Sequence, residues 1–366
     1  MNETLQALMR SATRLTQTGR LSDATAAIQR ALGAAGTAAR TTPAQPVADA
    51  APMVLDGCVF ELPDAAPAAT EPMPGGFTRG THTHGPLTRA YKLFVPPGRA
   101  DHPRALVVML HGCTQDPDDF AAGTGMNTCA LEQGFVVLYP AQSQDANPSR
   151  CWNWFKHNHQ QRGSGEPALI ASMTRAVMKE QGIDPRRVYI AGLSAGGAMA
   201  TIVAQAYPDI FAAVGVHSGL PRGAASSVPE ALSVMNGGTA GAGAPARPRR
   251  GDAAPSTHVP TIVFHGDQDR TVHPRNGEQV VAAALAATAT GAARVEQGAS
   301  RQGRRYTRST HVGEDGTALA EHWLLHGAGH AWSGGHATGS YTDAAGPDAT
   351  REMLRFFFEH PLARVH

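Results

Sequence analysis

Three stretches of this chain place acyl-transfer residue types where such chemistry would need them. YIAGLSAGGAMATIVA (Tyr189–Ala204) carries a lone serine, FHGDQDRTV carries two aspartates, and LHGAGHAW carries a histidine beyond two glycines. Gly192-Leu193-Ser194-Ala195-Gly196 fits G-x-S-x-G, a pattern that means something only where a strand turns sharply into a helix. Here an apolar run precedes the serine and a small-residue helical pattern follows it. The glycines allow a turn in which Cβ atoms would clash, and the turn lifts the hydroxyl above the sheet edge. The helix behind it offers N–H groups and the positive end of its dipole. A free serine is a weak nucleophile and needs a base and an orienting acid. The alternative reading is a glycine turn whose serine only caps a helix.

The partners follow in the chain order that this strand–turn–helix serine expects, acid before histidine, each on a loop after a later strand. Asp269 is preferred over Asp267 because it sits deeper in its loop and is followed by Val272, an anchor against the sheet; Asp267 is expected to cap the turn. His330, freed by Gly327 and Gly329, is preferred over His326 within the strand and His336 beyond a glycine pair. An oxyanion hole requires two inward N–H groups. Ala195 supplies one, and Cys113 in LHGCTQ (Leu110–Gln115) is the candidate for the other. Trp332, two residues after His330, and Trp154 are candidates for a substrate wall as well as for packing. His157 and His159 lack a third ligand at suitable spacing and read as exposed polar residues, so neither metal nor cofactor is expected.

Strand and helix patterns alternate around these residues. Arg89–Pro97, Arg104–Gly112, Gly134–Pro140, Arg187–Ser194, Val259–Asp269 and Leu319–His330 read as strands, the last two running on into loops. Ala168–Gly182, the stretch after Ser194, Glu278–Ala289 and Asp348–Glu359 read as helices. The interleaving predicts an α/β fold, a mostly parallel sheet with helices on both faces.

The chain has 366 residues, 42% of them hydrophobic, with a net charge of +1. That suffices for a sizeable core and gives no basis for nucleic-acid binding. No apolar run approaches the roughly 18 residues of a membrane span. Residues 1–33 show two short amphipathic periods broken at Gly19, and no secretory leader is recognised there. They are either a docking element for a protein partner or a bland extension. Residues 34–79 read as a Pro/Ala-rich linker and 80–366 as the catalytic domain. Within that domain, 223–256 is a low-complexity excursion.

The stretches LHGCTQDPDDFAAGTGMNTCA, YPAQSQDANPSRCWNWF, GEPALIASM, DPRRVYIAGLSAGGAMA, YPDIFAAVGVHSGLP and GAGHAWSGG together resemble the polyhydroxybutyrate depolymerase family of esterases. The resemblance covers most of Thr88–Phe358. It implies an α/β-hydrolase with Ser194 as nucleophile, Asp269 as acid and His330 as base, acting on aliphatic polyesters, oligoesters, or smaller feruloyl or acetyl-xylan esters. The chain departs from the secreted depolymerases in having no recognised leader and no polymer-binding domain after the hydrolase. Soluble oligoesters or small esters are therefore the expected substrates, in an expected cytoplasmic setting, although many members of the family are secreted. Of Cys58, Cys113, Cys129 and Cys151, the positions of Cys113 and Cys151 in family blocks near the presumed site suggest a Cys113–Cys151 bridge; four reduced thiols are the alternative. A peptidase of the same fold and a non-catalytic binding protein are the remaining readings.

Overall fold

A computed structural model describes residues 75–98, 102–237, 258–286, 288 and 290–363. The expected helical pair at 1–33, nearly all of the linker, Cys58 and residues 238–256 of the low-complexity interval lie outside them.

Strands β1 (Gly76–His84), β2 (Leu87–Val95) and β3 (Leu106–Leu110) come first, followed by helices α1 (Pro117–Thr124) and α2 (Met126–Gln133). Then come β4 (Val136–Pro140), α3 (Gly165–Gln181), β5 (Val188–Leu193), α4 (Ala195–Ala206), β6 (Ala213–His217) and α5 (Val228–Gly237). The chain continues through β7 (Thr261–Gly266), α6 (Arg275–Leu285), β8 (Arg294–Ala299), β9 (Arg305–Val312) and β10 (Ala318–Leu325). Two short strands, β11 (Trp332–Ser333) and β12 (Thr342–Asp343), precede the last helix, α7 (Ala349–Glu359).

The main sheet runs β1-β2-β4-β3-β5-β6-β7-β10-β9-β8. Its six central strands are parallel, with antiparallel pairs closing both edges. Strands covered on both faces must be apolar throughout, and β3, β4 and β5 are buried along their full lengths. Their side chains alternate between two cores. Leu106, Val108 and Leu110 join Ile170, Met173 and Met199 of α3 and α4 on one face. Val107 and Met109 join Phe120, Met126, Met353, Phe356 and Phe357 of α1, α2 and α7 on the other. Phe357 stacks on Tyr189 with centroids 5.1 Å apart. Each such fully buried aromatic side chain contributes roughly 1.5–3 kcal/mol.

Helix ends follow local chemistry. The Asp116 carboxylate accepts from the N–H groups of Asp118 and Asp119 at the start of α1, and Gly125 takes a left-handed conformation at its end. The sheet begins four residues before the expected boundary at Gly80, because Gly80 itself lies within β1. Tyr91 crosses over it: a Cβ there would come 2.3 Å from the Tyr91 ring. Helix α5 occupies part of the interval read as low-complexity.

Candidate active site

The candidate residues lie at the carboxyl ends of the parallel strands, where the order β4-β3-β5 reverses direction. Between β5 and α4, Ser194 adopts φ 57° and ψ −119°, a left-handed backbone that a non-glycine residue disfavours. Its N–H donates to the His217 carbonyl at the end of β6 (2.9 Å), and its side chain caps nothing. The serine-as-cap alternative therefore fails. A Cβ on Gly196 would stand 2.0 Å from the Leu110 carbonyl oxygen, and one on Gly192 2.4 Å from the Gly196 carbonyl carbon. Both glycines are therefore required by close approach of backbone to backbone. Gly196→Ala is expected to cost at least about 3 kcal/mol, visible as a lower urea midpoint. An unchanged midpoint would contradict this packing.

Asp269 follows β7 and is 5% exposed. Its Oδ1 accepts from the N–H groups of Thr271 (2.9 Å) and Val272 (2.8 Å), and Val272 is fully buried, as an anchor should be. Its Oδ2 lies 2.7 Å from His330 Nδ1 and 3.5 Å from His265 Nε2. Burial opposes the Asp269 charge. Hydrogen bonds from His265 and His330, the His330 charge and the Val272 N–H outweigh it and hold the carboxyl far below its ordinary range. In the neutral form that a base requires, the Asp269 carboxylate holds the imidazole proton of His330 on Nδ1 and leaves Nε2 as an acceptor. Asp267, expected to cap its own turn, instead reaches across to the end of β10: it accepts from the Gly327 N–H (2.7 Å) and pairs with His326 Nδ1 (3.0 Å).

The segment from His111 to Gln115 is fixed on several sides. The Gly112 N–H donates to Gln115 Oε1 (2.9 Å) and the Thr114 N–H to the Ser149 carbonyl (2.7 Å). The Cys113 N–H lies between these two committed donors and takes no acceptor among the described bonds. The Ala195 N–H belongs to the first turn of α4, where no intrahelical acceptor exists. Cys113 is bridged to Cys151, so the reduced-thiol alternative does not describe this pair, and Cys129 is a buried free thiol.

Two of the expected site residues face elsewhere. Trp332 is 1% exposed, donates from Nε1 to Thr350 Oγ1 (3.0 Å) and stacks on His217. Trp154 is 4% exposed and lies in the main core. Both rings are packed inside the fold, Trp332 because the loop after His330 turns inward there. His159, expected to be exposed, is buried 3.4 Å from Glu166. No group of three or more His, Cys, Asp or Glu side chains suited to a metal ion occurs among the described residues. Nor is any described helix long and apolar enough to cross a membrane.

Two positioning residues escaped the residue-by-residue reading, although both lie in the family-like stretches. His217 Nε2 accepts from the Ser333 N–H (3.0 Å) while its carbonyl holds the Ser194 N–H, so it ties the loop after His330 to the serine turn. Glu166, fully buried, accepts from the Asn153 N–H (2.8 Å), Asn153 Nδ2 (2.8 Å) and Gln142 Nε2 (2.5 Å). It thereby secures the segment that delivers Cys151 and Ser149 to the His111–Gln115 turn.

Burial pushes His111 down to about 4, His217 to about 3 and His322 to about 4. All three are neutral in the fold, whereas an unfolded histidine binds a proton below pH of about 6.5. The unfolded state thus holds more protons between pH of about 6.5 and 4, and stability falls there as pH falls. Each histidine contributes roughly 1.4 kcal/mol per pH unit. The depressed Asp269 carboxyl acts only lower, where unfolded carboxyls protonate. Melting temperature is therefore expected to drop from pH 7 to pH 5, and equal values by calorimetry would contradict the neutral assignments.

The profile described as "Esterase PHB depolymerase" matches residues 89–305, more than half of the chain. The chain is 38% identical over 181 residues to poly(3-hydroxyalkanoate) depolymerase C of Paucimonas lemoignei, covering 48% of this chain and 43% of that protein. It is 37% identical over 127 residues to poly(3-hydroxybutyrate) depolymerase of Ralstonia pickettii, covering 33% and 26%. It thus spans less than half the length of either depolymerase. Acetylxylan esterase A of Aspergillus ficuum is 27% identical over 197 residues, covering 50% of this chain and 62% of that one. An acetyl xylan esterase structure from Aspergillus awamori superposes with a TM-score of 0.56 at 19% identity, covering 77% and 99%, a likeness of fold.

Proposed function

This chain belongs to the esterase PHB depolymerase family, and from that premise we propose that it is a serine carboxylic-ester hydrolase acting through an acyl-enzyme on Ser194. The observation that carries the reading is the 2.7 Å contact of His330 Nδ1 with a buried, ionised Asp269, on a loop that His217 ties to the strained serine turn.

In the proposed cycle, Ser194 Oγ attacks the ester carbonyl carbon while His330 Nε2 takes its proton. Asp269 keeps the imidazole in the required tautomer and stabilises the imidazolium as it forms. The carbonyl oxygen becomes an oxyanion between the N–H groups of Cys113 and Ala195, each donor worth about 3 kcal/mol of barrier. Collapse breaks the C–O bond to the alcohol, which leaves with the proton from His330. A water molecule then repeats the sequence on the acyl-enzyme and releases the acid. Every step is done by side chains and backbone of this chain, so no cofactor is required.

The proposed substrates are hydroxyalkanoate oligoesters and small soluble esters, in line with the names of the two bacterial relatives. Acetylxylan-type esters are the second reading, favoured by the names of the fungal relatives. Turnover of p-nitrophenyl butyrate and 3-hydroxybutyrate oligomers, compared with acetylated xylan and a peptide p-nitroanilide, tests these assignments. The butyrate ester and the oligomers are expected to turn over, with kcat/KM on the anilide at least about a thousandfold lower, more than 4 kcal/mol of discrimination. Preference for acetylated xylan over the oligomers would favour the second reading. Comparable anilide hydrolysis would make the protein a peptidase, and inertness towards all four a non-catalytic binding protein.

A further inference from the structure

We propose that Tyr341 sets alcohol specificity at this site, its ring forming the wall against which the leaving alcohol of the ester lies. The inference rests on the ester-hydrolase reading above.

Tyr341 is 47% exposed, one of the few large apolar side chains left open among the described residues. Its position is not that of a stray surface residue. The ring meets His330 edge to face at 6.5 Å between centroids, and the hydroxyl lies 3.3 Å from Thr114 Oγ1, next to Cys113. One side chain therefore spans from the proposed base to the proposed oxyanion loop.

The backbone beneath it is fixed. The Tyr341 carbonyl accepts from the Trp332 N–H (2.6 Å), and the preceding Ser340 N–H donates to Asp119 Oδ1 (2.7 Å). A Cβ on Gly339 would stand 2.4 Å from Gly123 Cα, so this strap lies flush on α1. Tyr341 itself has φ 52°, in the left-handed region where glycine would be favoured. The fold thus holds a strained tyrosine on a rigid strap, with 47% of the residue left as an exposed face.

The chemistry says what meets that face. His330 Nε2 must return its proton to the departing alkoxide, so the alcohol oxygen has to come within hydrogen-bond reach of the imidazole. The carbonyl oxygen points instead at the Cys113 and Ala195 N–H groups. The alcohol group accordingly lies beside His330, where Tyr341 stands. A flat ring with a polar tip favours alcohols that present a ring of their own.

Steady-state kinetics on two butyrate esters sharing the acyl group, benzyl butyrate and ethyl butyrate, test the proposal. Tyr341→Ala is expected to raise KM for benzyl butyrate by about tenfold. Both constants for ethyl butyrate should stay within about twofold, and Tyr341→Phe should keep the benzyl preference. A kcat loss of equal size on both esters would make Tyr341 only a support for His330 and overturn the proposal. So would unchanged constants on both. If the wild-type protein cleaves p-nitrophenyl butyrate but not benzyl butyrate, the alcohol-wall assignment alone fails. If it cleaves no ester, the ester-hydrolase reading fails with it.

Discussion

Ser194→Ala is expected to lower kcat on p-nitrophenyl butyrate by about a millionfold while the melting temperature stays within ~2 °C. The size of the loss comes from the role: without the hydroxyl, the proposed base has no proton to take and no acyl-enzyme forms. What remains is the catalysis that the oxyanion donors and substrate binding supply alone, on the order of a thousandfold over water. The small stability effect comes from the structure. The side chain of Ser194 caps no helix end, and the hydrogen bonds that hold this turn run through its backbone, to His217 and Ala198. Alanine keeps all of them. A variant retaining more than about a thousandth of wild-type kcat would contradict the nucleophile assignment.

Asp269→Asn is expected to reduce kcat about ten-thousandfold. The asparagine can turn its amide nitrogen towards His330. That forces Nδ1 to accept and moves the imidazole proton to Nε2, where a base needs a lone pair. Asp267→Asn supplies the contrast from the same loop. Asp267 accepts from the Gly327 N–H and His326 and not from His330, so its loss should cost about 1 kcal/mol of stability. Its kcat should change by no more than about threefold, under 1 kcal/mol of barrier. Reversed results would move the acid to Asp267.

The parts of this fold that could be read in the sequence are those buried on both faces. β3, β4 and β5 are apolar runs and β7 carries Ile262, Val263 and Phe264, so their existence followed from composition and their parallel arrangement from the alternation with helices. The edge strands did not announce themselves. β1 reads GFTRGTHTH and β8 reads RVEQGA, with too few apolar residues to mark an inward face, because these edges are largely exposed. β9 is only half-buried and carries Arg305 and Arg308 where an inner strand would carry Val or Ile.

The site divides along similar lines. Ser194 stood out because glycines crowd it at a strand-to-helix turn, and Asp269 and His330 because each follows an apolar strand in the chain order the serine requires. Trp332 and Trp154 are both buried, and a tryptophan near a candidate base, as Trp332 is, looks the same in sequence whether its ring faces solvent or core. Here the indole of Trp332 finds Thr350 inside the fold. His217, Glu166 and Tyr341 matter through contacts with residues far away in the chain, so local pattern gives no warning of them. For Glu166 the partners are Gln142 and Asn153; for Tyr341 they are Thr114 and His330.

The most direct test of the acyl-enzyme is the pre-steady-state reaction with p-nitrophenyl butyrate, followed by mass analysis of the acid-quenched protein. Acylation is expected at Ser194: one butyryl group per chain on the peptide containing that residue, formed with p-nitrophenol release and absent from Ser194→Ala. Deacylation can outrun the quench, so the reaction is repeated with a fluorophosphonate, which should add once to the same serine and abolish activity. Ester turnover with neither adduct at Ser194, or with the label on another residue, would contradict the acyl-enzyme mechanism.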